Sequence, residues 1–128
     1  MVELMEDVDF METMTFEEYQ EGAMSTAIYP DELIYPVLGL VGEAGEVAEK
    51  VKKYFRDNQY EVMCEDAVAE VSAETRMEIA KELGDALWYL TAIASDIGYS
   101  LEEIAELNLN KLADRNQRGK LTGSGDNR

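Results

Sequence analysis

Apolar residues recur every three or four positions along three long stretches of the chain, a period typical of amphipathic α-helices. The first stretch carries Val37, Leu40, Val41, Ala44, Ala48, Val51 and Phe55. The second carries Ile79, Leu83, Leu87, Leu90, Ala94 and Ile97, and the third carries Leu101, Ile104, Leu107 and Leu112. No segment shows a convincing strand alternation, so the pattern predicts an all-α fold.

Two capping-box patterns mark where helices begin. Thr15 with Glu18, and Ser100 with Glu103, have the spacing in which a hydroxyl and a carboxylate each bond the other residue's backbone N–H. The first pattern predicts a short helix over about 16–28, ahead of the three long stretches. The second opens the last helix.

Proline and glycine predict further helix boundaries. Pro36 suits a first helical turn, so the second helix is expected from Val37 to about Asn58. Gly98 stands where a left-handed residue would end the third helix. Between these helices, residues 58–73 have weak periodicity and fit either a loop or a short helix.

These elements predict one four-helix-bundle-like domain over residues 15–118. A flexible lead-in is expected at 1–14 and a flexible Gly-rich tail at 119–128. A bundle of this size has a small core, and such bundles commonly complete it by self-association. We therefore expect a homo-oligomer.

Composition narrows the chemistry. The 28 acidic and 11 basic residues give a formal charge of -17, which argues against extended nucleic acid as a partner. The absence of histidine removes the commonest general base and most zinc sites. The single cysteine, Cys64, allows no intrachain disulfide. With an acidic N-terminus and no apolar run near the ~20 residues that span a bilayer, we expect a soluble cytoplasmic protein with no membrane partner.

Two pairs of acids are the candidate chemistry. Glu43 with Glu46, and Glu82 with Asp85, are three residues apart, so each pair shares a helix face. If the helices pack side by side, the carboxylates converge and require a cation, and oxygen ligands favour Mg²⁺, with Mn²⁺ as a substitute. The spacing alone equally fits two solvated faces, because both pairs lie roughly opposite the apolar stripe.

Glycines in the second helix favour the functional interpretation. Gly39, Gly42 and Gly45 each cost about 1 kcal/mol relative to alanine in a helix interior. Small residues beside the acids allow a ligand or another helix to approach the backbone closely. Tight helix packing without a ligand is the alternative.

A basic stripe on the last helix is the candidate phosphate contact. Asn108, Lys111 and Arg115 lie on one stripe, and Arg118 follows. Lys50 and Lys53 lie on the carboxylate face of the second helix, where Lys50 also has the spacing of an ion pair with Glu46. Such cations would neutralise a polyphosphate beside a metal. The alternatives are interaction of C-terminal cations with the helix dipole and, for Lys50 and Lys53, a salt bridge.

The segments GLVGEAGEVAEKVKK at 39–53 and KELGDALWYLTAIASDIGYSLEEIAELNLNKLADRNQRG at 81–119 resemble the MazG-like nucleoside triphosphate pyrophosphohydrolases. That family's signature is an ExxE pair, a later ExxD pair and a downstream Asn-xx-Lys-xxx-Arg pattern, in this order. The resemblance implies an all-α, Mg²⁺-dependent dimer or tetramer that cleaves nucleotides between the α- and β-phosphates, giving a monophosphate and pyrophosphate.

The resemblance also implies residue roles. Its metal ligands would be Glu43, Glu46, Glu82 and Asp85, and its phosphate contacts Asn108, Lys111 and Arg115. Glu43 and Glu46 are the leading candidates to take the proton from the attacking water. Many members carry another acid where this chain has Gly42, which leaves the number of metal ions open.

The substrate is less defined than the reaction. Side chains able to select a base include Gln20, Tyr29 and Trp88, although each also fits a structural role. We expect nucleotide-pool house-cleaning. The alternatives are hydrolysis of dUTP, dCTP or phosphoribosyl-ATP, and a non-catalytic acidic interaction module.

Overall fold

The structure is a computed structural model that describes residues 13–58 and 71–123. Within these residues it contains four α-helices and no strand: α1 (Phe16–Met24), α2 (Ile34–Asn58), α3 (Ala73–Asp96) and α4 (Leu101–Gln117). The all-α prediction is confirmed. Nearly all of the predicted lead-in, most of 58–73 with Cys64, and residues 124–128 of the predicted tail lie outside the described residues.

Both predicted capping boxes form. Thr15 Oγ1 accepts from the Glu18 N–H at 3.1 Å, and the Thr15 N–H donates to the Glu18 carboxylate at 2.8 Å. Ser100 and Glu103 repeat the arrangement at 3.1 and 2.8 Å. A third cap, Ser72, starts α3. Local hydrogen bonds therefore set three of the four helix starts.

Helix α1 ends at Met24, four residues before the predicted Ile28. The hydroxyls of Ser25 and Thr26 donate to carbonyl oxygens three residues back, at 2.6 and 2.7 Å. Such bonds compete with continuation of the helix, because they occupy carbonyls that the next turn would use.

The connection between α1 and α2 is held by hydrogen bonds to Asp96, the last residue of α3. Asp96 accepts from the Tyr29 hydroxyl at 2.7 Å and from the Leu33 N–H at 2.6 Å. Leu33 has φ 61°, a left-handed conformation that is uncommon for a non-glycine residue. Helix α2 then begins at Ile34, before the predicted Val37, because Pro36 is tolerated in a first turn.

Helices α2 and α3 form the main packed pair, while α1 packs against both α3 and α4. Gly98 has φ 79°, as predicted for a left-handed C-cap, and turns the chain from α3 into α4. Helix α4 also packs against α3, but among the described residues no Cα atom of α4 lies within 8 Å of a Cα atom of α2. No described helix is long and apolar enough to cross a membrane.

The apolar stripes lie mostly on the outside of the single chain. The buried residues are mainly small, with Ala92, Ala94 and Leu101 as the buried hydrophobic residues. Val41 is 68% exposed and Leu83 is 53% exposed. Other exposed stripe residues are Val37, Val51, Leu87, Leu90, Ile97, Leu107 and Leu112. The apolar stripes, which normally form the core of a helical bundle, are therefore largely exposed to solvent in the single chain.

Candidate metal centre

The polar faces of α2 and α3 meet each other. Glu43 of α2 lies near Glu82 and Asp85 of α3, and one turn earlier on α2 Gly39 lies under the ring of Tyr89. As numbers rise along α2 they fall along α3, so the helices are antiparallel. The carboxylates at Glu43 and Glu82 are half-buried in this seam rather than on fully solvated faces.

Glu43, Glu82 and Asp85 form a carboxylate triad. One oxygen from each side chain lies within 4.8 Å of the other two, and Asp85 is the exposed member. In the part of the chain that the structure describes, this cluster has only carboxylate oxygens, which fit a hard cation such as Mg²⁺ or Mn²⁺. Small side-chain movements would bring these oxygens to the shorter spacing that one coordinated ion requires.

The triad is electrostatically unfavourable without a cation. Burial raises the pKa of Glu43, and the negative charges of Asp85, Glu82 and Glu46 raise it further. Two like charges about 5 Å apart repel by roughly 1–3 kcal/mol, depending on how far solvent screens them. A cation in the triad would remove this repulsion.

Glu46, the fourth predicted ligand, is placed differently. It is exposed, and its carboxylate lies outside the triad, although its charge contributes to the raised pKa of Glu43. Its role as a ligand remains a prediction. Glu46 lies about one helical turn after Glu43, so its side chain can lie beside the triad without being part of it.

Lys50, which was expected on the carboxylate face beside Lys53, forms an ion pair with a member of the triad. Its Nζ lies 3.6 Å from Glu82 Oε1 on the facing helix, although sequence spacing pairs it with Glu46. Lys53, the predicted contact, lies 3.4 Å from a Glu49 oxygen.

Gly39 is explained by packing within the chain. A Cβ at this position would lie 2.2–2.5 Å from atoms of the Tyr89 ring, closer than real contacts allow. Gly42 and Gly45 face open space: apart from the nearby backbone of α2, no atom of the described residues lies within 4 Å of the point that a Cβ would occupy. At Gly39 the close approach that the glycines predicted is made by α3. This agrees with the alternative interpretation, tight helix packing without a ligand.

Two tyrosines that sequence reasoning did not select border the triad. The pKa of Tyr89 is raised by its hydrogen bond with Tyr35, by burial and by the charges of Glu43 and Asp85. Burial, then the charge of Asp85, raises the pKa of Tyr19 on α1. The signal for Tyr89 was its spacing, four residues after Asp85 and thus on the same helix face.

Gln20, a predicted base contact, joins α1 to the corner between α3 and α4. Its Nε2 donates to Ser95 Oγ at 3.0 Å and to the Tyr99 carbonyl at 3.1 Å. Its Oε1 accepts from the Leu101 N–H at 2.9 Å. These bonds give the amide a structural role, while its role in base selection stays a prediction.

Tyr29 and Trp88, the other predicted base contacts, also hold elements together. Trp88 Nε1 donates to Thr26 Oγ1 at 3.0 Å and to the Ala23 carbonyl at 3.1 Å. Tyr29 meets Trp88 edge to face, with ring centroids 6.1 Å apart. Burial and the hydrogen bond to Asp96 raise the pKa of Tyr29 to about 12, so its hydroxyl is protonated at neutral pH.

The predicted phosphate contacts on and after α4 are not equivalent. Asn108 and Lys111 are exposed, whereas Arg115 is only 5% exposed. Arg118 binds Asp114 through Nε and Nη2, at 2.9 and 2.7 Å. Among the described residues, the Cα atoms of α4 and α2 do not approach within 8 Å of each other, so the single chain does not pack these two helices side by side.

Comparison with known proteins adds two findings. Residues 35–119 match the MazG nucleotide pyrophosphohydrolase domain, and this range contains the triad and the stripe of α4. The gene 37 protein of Mycobacterium phage L5 is 43% identical over 118 residues, covering 86% of this chain and 96% of that protein. No solved structure matches the chain.

Proposed function

Because the chain belongs to the MazG nucleotide pyrophosphohydrolase family, we propose that it is a Mg²⁺-dependent enzyme that hydrolyses nucleoside triphosphates between the α- and β-phosphates. The products would be a nucleoside monophosphate and pyrophosphate. One observation carries the proposal: Glu43, Glu82 and Asp85, from two motifs far apart in the chain, converge within 4.8 Å. House-cleaning of the nucleotide pool is the role we assign to this activity.

The triad would hold the metal ion. Its three oxygen donors and its mutual repulsion both favour a hard divalent cation, as does the lack of histidine in the chain. A bound Mg²⁺ would supply charge stabilisation to the phosphates and a more acidic water. Glu43 and Glu82, half-buried between two helices, would fix the position of the ion.

Glu46 is the better candidate for accepting the proton of the attacking water. Its carboxylate lies outside the triad, so its oxygens remain available when the other three bind a cation. It is exposed and borders Glu43, which places it where water can reach both. A general base needs such access together with proximity to the reacting atoms.

The exposed apolar faces support a homodimer or homotetramer. Val41, Leu83 and Leu90 are exposed on helices whose polar faces already meet. A groove of about 300 Å³ with an almost wholly apolar lining, including Val51 and Phe55, continues this surface. Covering such a surface is favourable at about 25 cal/mol per Å². We propose that a second copy covers it and brings its α4 stripe to the triad.

Subunit complementation tests whether α4 acts in the partner's site. Glu43→Gln and Lys111→Met chains are each expected to be inactive, and a denatured and refolded mixture should recover activity. In an equal mixture of dimers, up to about a quarter of the sites would contain both unaltered residues. No recovery from a mixture shown by mass to contain mixed oligomers would place Lys111 in the site of its own chain or outside the site.

The reaction itself is tested by a panel of ribo- and deoxyribonucleoside triphosphates with Mg²⁺, analysed for both products. Monophosphate with equimolar pyrophosphate, lost in EDTA, is the expected result. Phosphoribosyl-ATP is assayed beside the panel, and selective cleavage of dUTP, dCTP or phosphoribosyl-ATP would identify one of the related substrates. A diphosphate with inorganic phosphate would overturn the cleavage position. If the protein neither binds metal nor hydrolyses any nucleotide, the alternative of a non-catalytic acidic interaction module would be favoured.

A further inference from the structure

We propose that Lys50 is the built-in counter-ion of the metal-free triad and that a metal ion must displace its ammonium group from Glu82 in order to bind. This inference rests on the proposed function insofar as the triad is the metal site. It assigns to Lys50 a role in holding the site together before the metal arrives.

The position of Lys50 sets it apart from the other lysines of α2. Its ion pair joins α2 to α3, and it ends on a member of the triad. Lys52 and Lys53 instead pair with Glu49 of their own helix, three and four residues away. Among ion pairs between described residues, that of Lys50 alone links two helices.

The negative charges around Glu82 explain why a cation is favourable at this position. Three carboxylates within 4.8 Å need positive charge, and Glu82, with its side chain 19% exposed, has limited access to solvent. Lys50 supplies one positive charge at the end of a flexible stem. It therefore offsets part of the repulsion that would push α2 and α3 apart in the metal-free protein.

The ion pair between Lys50 and Glu82 must break when a metal ion binds to the triad. A coordinated divalent cation and the ammonium group repel each other at the same carboxylate, and the divalent ion at bonding distance attracts Glu82 more strongly. At 3.6 Å from Oε1 and with its side chain 34% exposed, Lys50 can turn into water without disturbing the packing. Metal binding and the Lys50 pair are thus coupled, and each weakens the other.

Comparison of Lys50→Met with Lys52→Met tests the inference, because both remove one positive charge from the same helix. In EDTA, Lys50→Met should have the lower melting temperature, and saturating Mg²⁺ should abolish this difference. By calorimetry, Lys50→Met should bind Mg²⁺ roughly three- to tenfold more tightly than the native chain. Lys52→Met should change the Kd less than about twofold.

Two further variants keep the test decisive. Lys50→Gln provides a polar replacement if Lys50→Met does not fold, and Lys50→Arg, which keeps the charge, should stay near the native Kd. Native protein that binds Mg²⁺ and hydrolyses nucleotides while Lys50→Met behaves like Lys52→Met would overturn the counter-ion role alone. Native protein that binds neither Mg²⁺ nor Mn²⁺ would overturn the metal centre and the displacement together.

Discussion

Glu43→Gln is expected to lower nucleotide hydrolysis by at least about 100-fold and, at the same time, to stabilise the metal-free protein. The loss follows because the substitution removes one of the three carboxylates that we propose hold the metal. The metal-free protein becomes more stable because burial and three neighbouring carboxylates disfavour the charged form of Glu43, as its raised pKa indicates. An uncharged amide of the same size relieves this cost at neutral pH.

The opposite directions of the two effects distinguish a metal site from a structural carboxylate. In EDTA the melting temperature should rise by about 2–5 °C, and Mg²⁺ should raise it no further. Glu78→Gln is the matched control, since Glu78 is an exposed acid of α3 outside the triad. It should leave the Kd for Mg²⁺ and the turnover nearly unchanged. Equal losses of activity in both variants would contradict a specific role for Glu43.

Helix ends were predictable from the sequence where short-range bonds decide them. The capping boxes at Thr15 and Ser100 and the left-handed Gly98 involve residues within a few positions of one another. The early end of α1 also has a local cause, but the hydroxyls of Ser25 and Thr26 fit either a helix or its termination. Spacing alone does not choose between these two conformations.

Relations between helices were predictable only in part. The two acid pairs indicate convergence, and Glu43, Glu82 and Asp85 do converge. The register between α2 and α3 decides which acids enter the cluster, and it depends on contacts such as the Tyr89 ring over Gly39. No local pattern encodes that contact.

The orientation of the stripes was not predictable either. An apolar stripe normally predicts the face that packs within the domain. Here the carboxylate faces of α2 and α3 meet, while Leu83 and Val41 remain exposed. The pattern specifies which faces avoid water, but it does not specify whether the same chain or a partner covers them.

Gly39→Ala and Gly42→Ala are expected to have opposite effects on the free energy of unfolding, although both add one methyl group to the same helix. At Gly39 the methyl group would meet the Tyr89 ring, and the forced shift should cost about 1–3 kcal/mol. At Gly42 no other part of the described chain lies within 4 Å of the added methyl group, so helix propensity should stabilise the protein by up to about 1 kcal/mol. Urea denaturation of the metal-free protein, at a concentration where it is monomeric, measures both.

The cause at Gly39 can be separated from a general intolerance of α2 by changing its neighbour. Tyr89→Leu removes the ring atoms that the new methyl group would meet, so Gly39→Ala should cost much less in that background. An unchanged cost would exclude the ring as the cause. If Gly42→Ala proved destabilising only at concentrations where the protein associates, the methyl group would be meeting a second copy. Its open position on α2 would then lie within the subunit interface, one residue from Glu43.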